Sequence, residues 1–142
     1  MMATMNIYLN FNGTTEEAFN FYKNCFKTEF ITIMRFGDTP GCEDLDEIEK
    51  GKIMHISLPI GGNILMGTDI PPNRPKAVNG TSVSISINTD TEKEARDIFA
   101  KLSENGTVEI PLQDMFWGDL YGMFTDKFGI HWMVNFDEQP QQ

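Results

Sequence analysis

At 142 residues, 40% of them apolar, the chain is long enough to bury one core or two half-sized ones. Its 21 acidic side chains outnumber its 11 Lys and Arg, and the formal net charge of -10 repels phosphate backbones and anionic lipid surfaces, which excludes nucleic acid and membrane as expected partners. The two cysteines, Cys25 and Cys42, have no CxxC spacing and no neighbouring histidine, so neither a disulfide framework nor a structural zinc site is expected. The stretch Met1 to Asn6 has no basic region or apolar run of the kind a signal peptide needs, and no apolar run approaches the roughly 18 residues of a membrane span. A cytoplasmic protein is the expectation.

The first element is a strand, since Ile7, Leu9 and Phe11 alternate with polar residues. It runs into a helix announced by Thr14 with Glu17 three residues later, the capping-box spacing that satisfies free helix N–H groups. Ala18, Phe21, Tyr22, Cys25 and Phe26 then form one apolar stripe. Glu29 to Phe36 alternates as a second strand and stops at the turn cluster Gly37 to Gly41. Five carboxylates between Glu43 and Glu49 read as a solvated loop or short surface helix, because a cation site needs alternating ligands and a tight glycine turn. Lys52 to Ile60 is a third strand, with Met54, Ile56 and Leu58 on the helix side and His55 and Ser57 opposite. Gly61-Gly62 turns it into a fourth, Asn63 to Asp69. Residues 1–69 thus form a β-α-β-β-β module. The proline-rich run from Ile70 to Pro75 cannot continue a central strand, so residues 70–79 read as an extended linker.

The order then repeats about 76 residues on. Thr81 to Asn88 is a strand carrying Val83, Ile85 and Ile87. Thr91 to Asn105 is a helix with its own Thr91–Glu94 capping box and an Ala95, Ile98, Phe99, Leu102 stripe, stopped by Gly106. Thr107 to Leu112 is a strand, and Tyr121 to Asp126 with Ile130 to Phe136 make a hairpin about Lys127-Phe128-Gly129. Residues 80–137 are the second β-α-β-β-β module, and 138–142 a tail, with fraying expected from Asp137. The fold class is α+β, two tandem modules of curved mixed sheet with the helices outside. Each helix covers one sheet face, so the other is expected to meet the second module or another subunit around a cavity.

Three blocks carry a family resemblance: Tyr8-Leu9-Asn10-Phe11-Asn12-Gly13 with Glu17-Ala18 and Phe21-Tyr22; Phe116-Trp117-Gly118-Asp119 with Tyr121-Gly122; and Thr125-Asp126-Lys127-Phe128-Gly129 with Trp132-Met133. From about residue 5 to 137 the chain resembles the PhnB-like branch of the vicinal oxygen chelate superfamily, which includes glyoxalase I, bleomycin-resistance proteins and extradiol dioxygenases. In its metal-using members, His or Glu side chains on the first and last strands of each module hold a divalent ion. The resemblance places those positions at Ile7 or Tyr8, Leu65 or Met66, Ser82, and Met133. A one-residue slip adds Asn10, Ser84 and Asn135. None supplies the hard or borderline donors such an ion requires, so no metal and no other cofactor is expected. The branch also bears the name of a demethylubiquinone methyltransferase, but the chain lacks the glycine-rich strand-to-helix loop that nucleotide and methyl-donor folds use.

Strand parity nominates the lining of the cavity. Tyr8, Asn10, His55, Met66, Trp117, Tyr121 and Met133 are the candidate ligand-binding residues, combining aromatic area, soft thioethers and a few polar tips. His131 shares a face with Met133 and Asn135. Asp119 reads as a turn cap or a general base, with capping favoured because no activating partner is visible, and Ser82, Ser84 and Ser86 read as hydrogen-bonding groups, since no His and acid are placed to activate a nucleophile. The expected function is a glyoxalase/bleomycin-resistance-like, metal-free homodimer that binds a small organic molecule. The alternatives are a metal-dependent lyase, isomerase or dioxygenase using His55 with Asp69 or the acidic loop, and a non-catalytic dimerisation scaffold.

Overall fold

The computed structural model describes residues 2–137. In chain order it contains β1 (Ile7–Phe11), α1 (Thr15–Phe26), β2 (Thr32–Arg35), a 3-10 turn at Phe36–Asp38, α2 (Glu47–Lys50), β3 (Ile53–Ile60) and β4 (Asn63–Asp69). There follow β5 (Ile85–Thr89), α3 (Glu92–Leu102), β6 (Thr107–Asp114), β7 (Asp119–Thr125) and β8 (His131–Asp137). The chain divides into two compact units between Val78 and Asn79.

Both units have one topology. In the first the sheet order is β1-β4-β3-β2, and in the second β5-β8-β7-β6. Each joins its first and last strands in parallel and its other neighbours antiparallel. The crossover that a parallel pair demands is supplied by the helix and the two intervening strands. In the first unit Leu9, Phe11, Ile53, Ile56, Leu58 and Leu65 are buried, as are Ala18, Phe19, Tyr22 and Cys25 of α1. In the second, Ile85, Leu120, Phe124, Trp132 and Val134 are buried along with Ala95, Ile98 and Leu102 of α3, and Phe99 meets Phe124 edge to face at 5.0 Å.

Several expectations are corrected. The pairing of β2 with β3 passes from Met34–His55 to Arg35–Ile53, skipping one residue of β3. That irregularity resets parity, so Ile53 rather than Met54 is buried with Ile56 and Leu58. On α1, Phe19 is fully buried, whereas Phe21 and Phe26 sit half-buried at the margins of the stripe. Strand β2 starts at Thr32 rather than Glu29, and β5 at Ile85, which leaves Val83 exposed ahead of it. Strands β6 and β7 extend to Asp114 and back to Asp119. Asp137 belongs to β8, while the rest of the expected tail lies outside the described residues.

The two helix starts also differ. Thr91 Oγ1 accepts from Glu94 N at 3.1 Å, while Glu94 Oε1 accepts from Asp90 N, one residue ahead of the cap. Thr14 makes no side-chain cap bond. Its role passes to the buried Asp69 at the end of β4, whose Oδ1 accepts from Gly13 N at 3.0 Å, Thr15 N at 3.1 Å and Thr15 Oγ1 at 2.6 Å. Its Oδ2 accepts from Ile53 N at 2.8 Å.

Candidate functional site

In the first unit, alternation along β1, β3 and β4 turns Leu9, Leu65 and Leu58 toward α1 and their neighbours to the opposite, open face. There the register sets Tyr8 beside Met66, Met66 beside Ser57, and Ser57 beside Thr32, with Asn10 beside Thr68. Tyr8 Oη and His55 Nδ1 share a hydrogen bond of 3.2 Å, and their rings lie 5.8 Å apart at 38°. Burial raises the Tyr8 phenol above its ordinary value of 10.0, and a hydrogen bond with the Thr68 hydroxyl pulls the other way. The phenol therefore stays protonated at neutral pH. Tyr8, His55 and Thr68 together offer donor and acceptor atoms beside the soft surface of Met66.

The second unit gathers an aromatic cluster. Tyr121 Oη donates to Met133 Sδ at 3.3 Å, and the Trp117 ring stands 6.2 Å from Tyr121 at 60°. Phe116 packs edge-on to Trp117 at 4.9 Å. Phe116 is 97% exposed and Trp117 53% exposed, although both are large apolar rings. Asn135 Nδ2, on β8, donates to Asn88 Oδ1 on the neighbouring β5 at 3.3 Å.

His131 is engaged as a strut. Its Nε2 lies 2.7 Å from Gly80 O, and its Nδ1 lies 2.8 Å from Thr125 Oγ1, which itself donates to Glu109 Oε1 at 2.6 Å. A carbonyl oxygen only accepts, so Nε2 is the donor toward Gly80 O.

The seven candidate lining residues therefore fall into two groups. Tyr8, Asn10, His55 and Met66 share the open face of the first unit, and Trp117, Tyr121 and Met133 cluster in the second. Three further participants emerge. Thr68 lay two residues beyond Met66 in the same alternation, Phe116 stood next to Trp117, and Glu109 carried no signal because its partner Thr125 is 16 residues away. Among the described residues the Asp119 side chain forms no turn-capping hydrogen bond, while its backbone oxygen accepts from Met115 N. The acidic run contains the short helix α2, whose Asp46 accepts from Glu49 N at 2.8 Å.

The donor set does not fit a divalent ion. Among the described residues no group of three or more His, Cys, Asp or Glu side chains is placed to hold a metal. The positions that the resemblance assigns to ligands bear Ile7 or Tyr8, Leu65 or Met66, Ser82 and Met133, which are apolar, thioether or neutral hydroxyl groups. Also among the described residues, no helix is long and apolar enough to cross a membrane.

Residues 3–135 match the family described as 3-demethylubiquinone-9 3-methyltransferase. Protein PA1353 of Pseudomonas aeruginosa is 38% identical, with a TM-score of 0.84 over 96% of this chain and 98% of that one. A PhnB protein of Bacillus cereus, described as a putative 3-demethylubiquinone-9 3-methyltransferase, is 25% identical, with a TM-score of 0.77 over 94% and 99%. Protein YjdN of Escherichia coli strain K12 is 28% identical over 95% of this chain and 97% of its own length. A glyoxylase/bleomycin resistance protein/dioxygenase domain from Frankia shares the fold. With two β-α-β-β-β units of one topology and a match across nearly its whole length, the chain belongs to the PhnB-like family and has the glyoxalase/bleomycin-resistance fold of the vicinal oxygen chelate superfamily.

Proposed function

We propose that this glyoxalase/bleomycin-resistance-like protein works as a cytoplasmic homodimer that binds a small, partly aromatic organic molecule on the open sheet faces without a metal ion. The observation that carries the reading is the Phe116–Trp117–Tyr121–Met133 cluster, in which exposed rings meet a thioether and a phenol at one place. Such surfaces gain from covering apolar area while their polar tips fix orientation. The Tyr8–His55–Thr68 group supports it by supplying hydrogen-bonding atoms on the first unit's open face.

Native mass spectrometry of protein purified without added metal is the test, because it weighs subunits, bound ions and retained organic molecules together. The expected result is a dimer free of stoichiometric metal that gives up an organic mass on activation. A retained compound, added back, is expected to change Trp117 fluorescence, and Trp117→Ala and Tyr121→Ala are each expected to weaken it by roughly tenfold, as for an aromatic anchor residue. A divalent ion on every chain, abolished by His55→Ala, would overturn the reading in favour of the metal-dependent lyase, isomerase or dioxygenase. Unchanged affinity in both aromatic variants would remove the site from this face.

A further inference from the structure

We propose a second, separate binding site in the first unit, beside the loop of residues 70–77, for the phosphoryl dianion of a small organic molecule. None of the open-face residues forms it. The loop is fastened at both ends to one short stretch of chain. On leaving β4, Ile70 N donates to Phe11 O at 2.8 Å; on return, Ala77 N donates to Asn12 Oδ1 and Asn12 Nδ2 donates to Ala77 O, both at 2.9 Å. Between these clasps Arg74 N closes a turn on Pro71 O at 3.1 Å. Pro71, Pro72 and Pro75 stiffen it, which lowers the entropy lost in holding the loop in place.

Between this loop, Asn12 and the α2–β3 junction lies a half-open cleft of about 370 Å³, within the volume range of small-molecule sites, with Arg74 and Lys76 exposed at its edge. Ile70, Pro71 and Pro72 form an apolar wall, and Lys52, Arg74 and Lys76 face the same space with Glu49. Three cations against one carboxylate leave an excess of two positive charges in a chain whose overall charge is strongly negative. Lys52 is spent, since Glu49 Oε1 lies 2.7 Å from its Nζ, and Asp69 and Asp46 add to the negative field on it. Arg74 and Lys76 have no ion-pair partner among the described residues. The planar fork of Arg74 matches two oxygens of one phosphoryl group, Lys76 adds a point charge, and the proline wall takes the organic part.

The test is titration of the full chain at low ionic strength with phenyl phosphate, inorganic phosphate and succinate, followed by amide chemical shifts in 1H–15N NMR. Phenyl phosphate is expected to move the amides of Asn12 and of the non-proline residues in 70–77, and to bind more tightly than inorganic phosphate, which lacks the apolar part. Arg74→Gln with Lys76→Gln is expected to weaken it by about tenfold or more. The pair Lys93→Gln with Lys101→Gln removes the same charge from α3 and is expected to leave that affinity unchanged. The proposal is overturned if those amides do not respond, if the Arg74/Lys76 double variant binds as wild type does, or if the α3 control weakens binding equally. Succinate binding as tightly as phenyl phosphate would overturn the phosphoryl assignment. The readout in residues 70–77 is independent of Trp117 fluorescence, so this proposal and the open-face reading fail separately.

Discussion

Asp69 joins three segments of the first unit through four hydrogen bonds: the end of β4, the turn into α1 and the start of β3. Asp69→Asn keeps the shape but replaces one acceptor oxygen with a donor, which must then face the N–H groups at Gly13 and Thr15 or at Ile53. A loss of about 2–4 kcal/mol is expected in urea denaturation, and a loss below about 0.5 kcal/mol would contradict the role. Arg35 and Glu16 illustrate the weaker kind of charge contact. The guanidinium meets both carboxylate oxygens at 2.9 and 2.6 Å and also donates to Gly51 O. That pairing holds Glu16 below its ordinary value of 4.5. A folded-state value below the unfolded one means the stabilisation is complete above about pH 4.5 and is lost as pH falls through the lower folded value. Both side chains are substantially exposed, so screening limits the contribution to about 1 kcal/mol or less. Glu16→Gln is expected to reduce stability slightly at neutral pH and to match wild type in acid, as thermal melts across pH and salt will show.

At the scale of elements, each helix sits close to its sheet because a glycine lets an aromatic ring in. A Cβ on Gly67 would lie 2.6 Å from Phe19 Cε1, and one on Gly122 would lie 2.5 Å from Phe99 Cε2 and 3.0 Å from the Leu112 backbone. Gly67→Ala is therefore expected to cost about 1–3 kcal/mol by overpacking. Gly62→Ala, where nothing lies within 4 Å, is expected to stay within about 0.5 kcal/mol of wild type in the same denaturation series. The buried Phe19 reflects the same closeness: it falls on the arc of α1 that meets Gly67, although the i+3/i+4 spacing from Ala18 passes over it.

At the scale of the molecule, the repeat was legible because it rests on two periods that sequence displays directly, alternation in strands and the 3.6-residue stripe in helices. Both reappear as the one strand order in the two sheets. The open faces followed by parity, which is why Tyr8, Met66, Tyr121 and Met133 could be nominated. What was not legible depends on chain segments meeting in space. The skipped residue in β3 is set by its pairing with β2, the Asp69 cap joins residues 54 and 56 positions apart, and the loop of residues 70–77 is fastened by Asn12, 65 residues from Ala77. The contrast between the two helix starts bears on how the chain assembles during synthesis. Thr91 lies beside the turn it closes, so α3 carries its own nucleating bond as soon as it emerges. The first turn of α1 waits for Asp69, made more than fifty residues later, and so the half synthesised first depends on its own last strand to finish its first helix.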